Sequence, residues 1–509
     1  MKIDRFKNAK RNMVWGAINK LIVIVFPFII RTILLQKLGG EYLGLNSLFS
    51  SILQVLSLAE LGIGSAITFS MYKPIAEDDT DSVCALLAYY QRIYRLIGCA
   101  VIIIGIVILP FLGYMVKDDC PSDVNLYILY IIYLINTSIS YFMFAYKQCL
   151  LLAHQRNDID SNIISLINIA LYICQIVSLL VFPNYYVYII FIPISTIVMN
   201  IVRKIAVDRM FPEYVCRGSI NADLKKELYK RISGLMLYKI SYVFRNSFDS
   251  IIISSFLGLV VLANYQNYYY ILNSVMGILA VVTASITAGV GNSLVTESKE
   301  KNYNDFKKFN FIFNWIVGWC VAFFLCLYQD FITLWIGKEY LLSFSVVVLM
   351  CIYFYSLEIG NVTAVYREAS GIWWQDKFRP IIESIVNLVI NVALVSIWGV
   401  SGVIISTIIC IVFINIPWAT CILFKNYFKR SPKEIFLIFL KNALIISFTS
   451  CVTFLVCKYT TFFISSLWKS FLVKTIICCI IPNILMFICY YKNQEFDSMI
   501  KIVRKMIQE

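Results

Sequence analysis

Long apolar runs recur along this chain, each about as long as a bilayer is thick and each ended by a few polar residues. A helix crossing the hydrocarbon core needs ~20 mostly apolar residues. Runs of this length are read as helices, which satisfy their own backbone hydrogen bonds within the bilayer. By this rule there are about 14 candidate spans, from 14–36 and 43–70 at the start to 438–457 and 471–491 at the end. Residues are 60% hydrophobic and 15% charged, against ~25% charged in soluble domains. No polar stretch is long enough for a separate soluble domain. The expected fold class is an all-α membrane protein.

The net charge of +14 would suggest nucleic acid in a soluble protein. Here the basic residues fall between apolar runs, which points to topology and anionic lipid instead. With the N-terminus placed inside, roughly 34 of the Lys and Arg lie in cytoplasmic loops, about 6 outside and about 4 within spans. Both termini are then cytoplasmic. Lys2, Arg5, Lys7, Lys10 and Arg11 precede the first run, which is long enough to be an uncleaved span rather than a signal peptide. Tyrosines such as Tyr185, Tyr186, Tyr490 and Tyr491 mark headgroup level.

The chain holds 16 cysteines and one histidine, His154. Most cysteines lie inside apolar runs, there is no C-x-x-C pair, and small buried hydrophobes are the expected reading; no metal site or cofactor is predicted. Asp118 and Asp119 sit in too short an outside loop to suggest a sugar-transfer site.

An internal repeat organises the runs. LGGEYLGLNSLFSSIL from Leu38 echoes LGLVVLANYQNYYYIL from Leu257, an alignment that also lays Lys20 on Lys239. Asn168-Ile169-Ala170-Leu171 echoes Asn391-Val392-Ala393-Leu394. With six helices per repeat, both copies enter from the same side and are related by an axis along the membrane normal. The expected organisation is an N-terminal six-helix lobe over 1–207, an amphipathic cytoplasmic connector over 208–233, and a second six-helix lobe over 234–424. Two additional helices over 425–491 and an interfacial tail over 492–509 follow.

Charges deep in spans cost ~2.5–3.5 kcal/mol on the insertion scale, so they mark function or pairing. Lys20 and Arg31 share one face of the first span, roughly 16 Å apart. Lys239, Arg245 and Asp249 sit on the corresponding span of the second repeat. These cations predict a positively lined cleft. Snorkelling is the alternative for Lys20 and Arg31, and mutual neutralisation for Arg245 and Asp249. Glu60, Asp249 and Glu358 are candidates to carry a coupling ion, or else salt bridges to neighbouring helices. Arg92, Arg95 and Arg367, with Arg379, lie near cytoplasmic ends as a candidate entrance, or simply fix topology.

Several segments resemble the Wzx-type polysaccharide flippases of the MOP exporter superfamily. They are NMVWGAINKLIVIVFPFIIRTILLQKLGGEYLGLNSLF, SLAELGIGSAI, FRNSFDSIIISSFLG followed by ANYQNYY, FITLWIGKEYLL and REASGIWWQDKFRP. The resemblance covers nearly the whole chain. It implies two lobes around a central cavity, alternating access, and an undecaprenyl-diphosphate-linked oligosaccharide carried from the inner to the outer leaflet of a bacterial inner membrane. A proton or sodium gradient is the implied drive. The implied partners are the lipid-linked glycan, membrane lipids, a polysaccharide polymerase and glycosyltransferases, with no nucleic acid. A cation about 4 Å from a phosphate charge would attract it by ~4 kcal/mol at an effective dielectric of 20. A multidrug exporter, a lipid II flippase and, from a different class, a membrane polymerase remain the alternatives.

Overall fold

Polar residues between the apolar runs start and stop the helices. In the computed structural model, which describes residues 5–60, 62–117, 120–372 and 375–500, Asp79, Asn125, Asn184, Asn221 and Ser298 each accept backbone N–H bonds in the first turn of a helix. Such caps satisfy donors the helix leaves open. The chain forms two units, residues 1–263 and 264–509.

The first unit contains α1 (Arg5–Lys37), α2 (Gly40–Leu56), α3 (Ile63–Ala76), α4 (Thr80–Ile108), α5 (Leu126–Phe142), α6 (Gln148–Ala153), α7 (Asn157–Val181), α8 (Tyr185–Met210) and α9 (Ala222–Leu257). α1 packs along α7, α7 on α8, and α2 lies between α5 and α9. The stretch 208–233, expected as an amphipathic connector, is divided. α8 ends at Met210, the chain is irregular to Asn221, and the rest forms the first turns of α9. Pro212 and the left-handed Gly218 (φ 82°) suit that interruption. α9 packs on α2 and α3 within this unit.

At Gly44 the backbone approach is close. A Cβ there would sit 2.3 Å from the Leu259 carbonyl oxygen, in the first turn of α10 (Leu259–Thr296). Gly44→Ala is therefore expected to destabilise by about 1–3 kcal/mol, read as a lower Tm and a smaller monodisperse peak on size exclusion. An unchanged Tm would mean that α10 retreats at no cost.

The second unit contains the rest of α10, then α11 (Lys299–Trp335), α12 (Phe344–Ile359), α13 (Asn361–Ala369), α14 (Arg379–Trp398), α15 (Val400–Cys410), α16 (Ile416–Leu423), α17 (Lys433–Thr460) and α18 (Leu467–Tyr490). α11 is its core helix and packs on α12, α17 and α18. The Trp315 and Trp319 indoles donate to Asn483 Oδ1 (2.9 Å) and the Cys478 carbonyl (3.0 Å) on α18. The expected interfacial tail lies partly outside the described residues. Phe496, at its start, is buried against Phe311 and Trp315 instead of facing lipid.

Among the described residues eleven helices are long and apolar enough to cross a membrane, and α5 with α6, bent by 50°, gives a twelfth when the pair is counted as one span. The two remaining expected spans are the broken pair α2–α3 and α9. The protein is a multi-pass α-helical membrane protein. α5 and α6 meet at the bend at Met143, whereas α12 and α13 are separated only by a one-residue turn at Gly360 and run on as one span.

Candidate functional site

In the first unit the second span breaks where the sequence reads SLAELGIG. α2 ends at Leu56, a tight 3₁₀ turn covers Ser57–Glu60, and Gly62 takes a left-handed conformation (φ 96°) from which α3 restarts. A backbone break at membrane depth is tolerated only where protein or a watery cavity satisfies it. Glu60 stands at this break, half-buried. Tyr94 of α4 donates its phenol to Oε1 at 2.5 Å, and Tyr141 of α5 donates to Oε2 at 2.7 Å. Tyr90 in turn donates to Tyr94 at 2.9 Å. Neutral phenols thus hold the carboxyl group, and it has no ion-pair partner among the described residues. The salt bridge considered for Glu60 is absent there.

α9 packs against α2 and the Ser57–Glu60 turn. Ser247 donates to Gln54 Oε1 at 3.1 Å, Asp249 is 6% exposed, and Arg245 is half-buried. Lys239 is on the same helix, but its side chain lies outside the described residues. α1 carries Lys20, exposed and without an ion-pair partner among the described residues, and the half-buried Arg31, within electrostatic reach of Tyr188. Arg92 and Arg95 are exposed on α4. Residues Asp118 and Asp119 lie outside the described residues.

In the second unit Glu358 is 2% exposed and stands two residues before Gly360, where Asn361 donates to Oε2 at 2.7 Å. Glu60 therefore sits at a full break, the kind of place where broken helices build ion sites, and Glu358 beside a one-residue turn in a span that runs on. Arg367 is placed differently from an entrance residue. It is 3% exposed and pairs with Asp376 at 2.8 Å. Arg379 grips the same carboxylate (2.8 Å) and also reaches Glu383 (3.0 Å), which accepts from Asn415 at 2.7 Å. All four charged residues of this cluster are at most 3% exposed.

Sequence reasoning had not weighed Asp376 and Glu383. The first unit has a counterpart in Asp160, held by Arg203 Nε (2.7 Å) and Gln148 Nε2 (2.7 Å). Asp160 and Glu383 each precede the asparagine of the NIAL/NVAL echo by eight residues. That shared offset is the signal that could have found them. A cavity of about 340 Å³ opens beside the end of α8, lined by Gln91, Tyr146, Lys147, Lys204, Asp208 and Tyr214 among others. Its two lysines both bind Asp208, with Lys204 at 3.0 Å.

No family model matches the chain, and no curated protein matches it in sequence. Solved structures do match its fold. Lipid II flippase MurJ, in an inward closed conformation, aligns with a TM-score of 0.66 at 15% identity, covering 94% of this chain and 98% of that one. A multidrug resistance MATE family transporter of the MOP superfamily, inward-facing, aligns at 0.59 and 16% identity, covering 86% and 98%. Its outward-facing counterpart aligns at 0.53 and 17%, covering 87% and 96%. At these identities the likeness is one of fold, and the chain shares the fold of these transporters.

Proposed function

We propose that this protein is a flippase that carries undecaprenyl-diphosphate-linked oligosaccharide units from the inner to the outer leaflet of a bacterial cell membrane, for surface polysaccharide assembly. Both termini then lie in the cytoplasm. The observation that carries the reading is the exposed ammonium of Lys20 on a membrane-spanning helix, with no acid paired to it among the described residues. A lone exposed cation in a span favours an anionic headgroup and disfavours organic cations. Arg31 on the same helix, and Lys239 and Arg245 on α9, complete the cationic set; the polyprenyl tail stays in lipid. Likeness to a lipid flippase over 94% of the chain supports the same direction.

Glu60 and Glu358 are the coupling candidates, since each is held by neutral hydrogen-bond donors that suit both a charged and a protonated carboxyl group. Asp249 is a third. Transfer of labelled undecaprenyl-diphosphate oligosaccharide across proteoliposomes, with and without an imposed pH gradient, tests the reading. Gradient-stimulated transfer is the expected result; extrusion of small organic cations with no lipid transfer would overturn it in favour of a drug exporter. Transfer of lipid II alone would move the substrate to a cell-wall precursor. Glu60→Gln keeps both phenol bonds possible and removes the titrating proton, so it is expected to keep the basal rate and lose gradient stimulation. Stimulation equal to the unsubstituted protein would clear Glu60 of coupling.

A further inference from the structure

Three cysteines from three different helices meet in the second unit. Cys326 of α11, Cys457 of α17 and Cys478 of α18 are 6%, 1% and 0% exposed, and their sulfur atoms lie within 4.8 Å of one another. They are far apart in sequence and share no spacing motif, so only the packing of α17 and α18 on α11 brings them together. Phe323, Phe454, Phe471 and Ile477 surround them. One helical turn away on the same helices, Asp330 follows Cys326 and Lys474 precedes Cys478, and these two form an ion pair at 2.7 Å. The Lys474 ammonium is within electrostatic reach of Cys457.

We infer that these thiols form a binding site for one soft monovalent metal ion, copper(I) in chemical class. Three sulfurs at metal–sulfur bonds of about 2.3 Å in a trigonal arrangement are ~4 Å apart, so the site needs to close by less than about 1 Å. Structural zinc takes four ligands, and no fourth His, Cys or carboxylate joins this group among the described residues. The only histidine, His154, belongs to the other unit. Thiolates select copper(I), which accepts two or three sulfur ligands. The apolar shell keeps out water and harder ligands. Bound by two thiolates and one thiol, the ion would leave one net negative charge and release two protons. The Lys474 ammonium lies where it favours that charge. The consequence is structural, because α17 and α18, the two helices beyond the repeat, become fastened to α11.

The test uses the full-length protein, purified in detergent and mixed with copper(I) under a competing chelator. The unsubstituted protein is expected to gain several degrees in Tm, as a ligand of the folded state does. X-ray absorption should show copper(I) bound by sulfur alone. Cys457→Ala should abolish the gain, while Cys479→Ala, at an exposed neighbouring cysteine, should preserve it. Should Cys457→Ala not fold, Cys326→Ala or Cys478→Ala removes one of the same three ligands and must give the same loss. No Tm gain in the unsubstituted protein, an equal gain in all variants, or a gain with zinc(II) and none with copper(I) would each overturn the assignment.

Discussion

Asp376→Asn is expected to cost the folded protein about 3–5 kcal/mol. The cluster of Arg367, Asp376, Arg379 and Glu383 is neutral as a whole, and every member is at most 3% exposed. Asp376 binds both guanidinium groups, Arg367 at 2.8 Å and Arg379 at 2.8 Å. Its neutralisation leaves a net positive charge withdrawn from water, and Glu383, which accepts from Asn415, pairs with Arg379 rather than replacing Asp376. Removing one partner of a buried pair is more costly than removing the pair, because the survivor keeps its desolvation penalty. The double variant Asp376→Asn with Arg367→Met should therefore recover much of the loss. The exposed pair of Arg217 and Asp81, at 61% and 86% side-chain exposure, is the control. Asp81→Asn should change stability by less than about 1 kcal/mol. Thermal unfolding followed by tryptophan fluorescence in detergent measures all three. An Asp376→Asn protein as stable as the unsubstituted one would mean that water reaches the cluster.

Span positions could be read from the sequence because bilayer thickness sets a length that composition reveals directly. The break in the α2–α3 span leaves two helices each too short to cross a bilayer alone, and polar residues dilute the hydropathy of α9. These two spans carry Glu60, Lys239, Arg245 and Asp249, whereas Lys20, Arg31 and Glu358 lie on helices long and apolar enough to cross. The deep acids were legible as costly residues, but their partners were not. Tyr94 and Tyr141 reach Glu60 across 34 and 81 residues, and nothing in an apolar pattern pairs a tyrosine with one acid over another. Arg367 looked like an entrance residue because it lies at the end of a run. The turn after α13 then folds Asp376 back onto it, a contact set by tertiary structure. His154 was assigned no metal site from the sequence. It is buried, stacked on Phe211 at 4.2 Å with Nδ1 against the Leu150 carbonyl at 2.8 Å, and burial holds its pKa below the usual value. The three-thiol cluster was the least legible feature, since its residues share neither spacing nor neighbouring segments.

Replacing Lys20 and Lys239 together by alanine is expected to slow transfer of the lipid-linked oligosaccharide by about 10–100-fold, roughly one to two powers of ten in the rate constant. The sequence echo aligns the two lysines, and on that alignment each proposed copy would contribute one cation to the diphosphate. The attraction at Lys20 is reduced by its exposure, because water and salt screen an exposed charge. For that reason the single variant should lose less than tenfold. If charge alone is required, Lys20→Arg should retain most of the rate, whereas a requirement for the compact ammonium would show as a loss in that variant too. Raising the salt concentration should slow the unsubstituted protein and leave the double variant nearly unaffected, a signature that a merely structural defect would not produce. In cells, the double variant should lose surface polymer while the inner-leaflet intermediate is still made. Full transfer activity in the double variant, with unchanged salt dependence, would remove these lysines from the substrate path and leave Arg31 and Arg245 as the remaining cations of the proposed set.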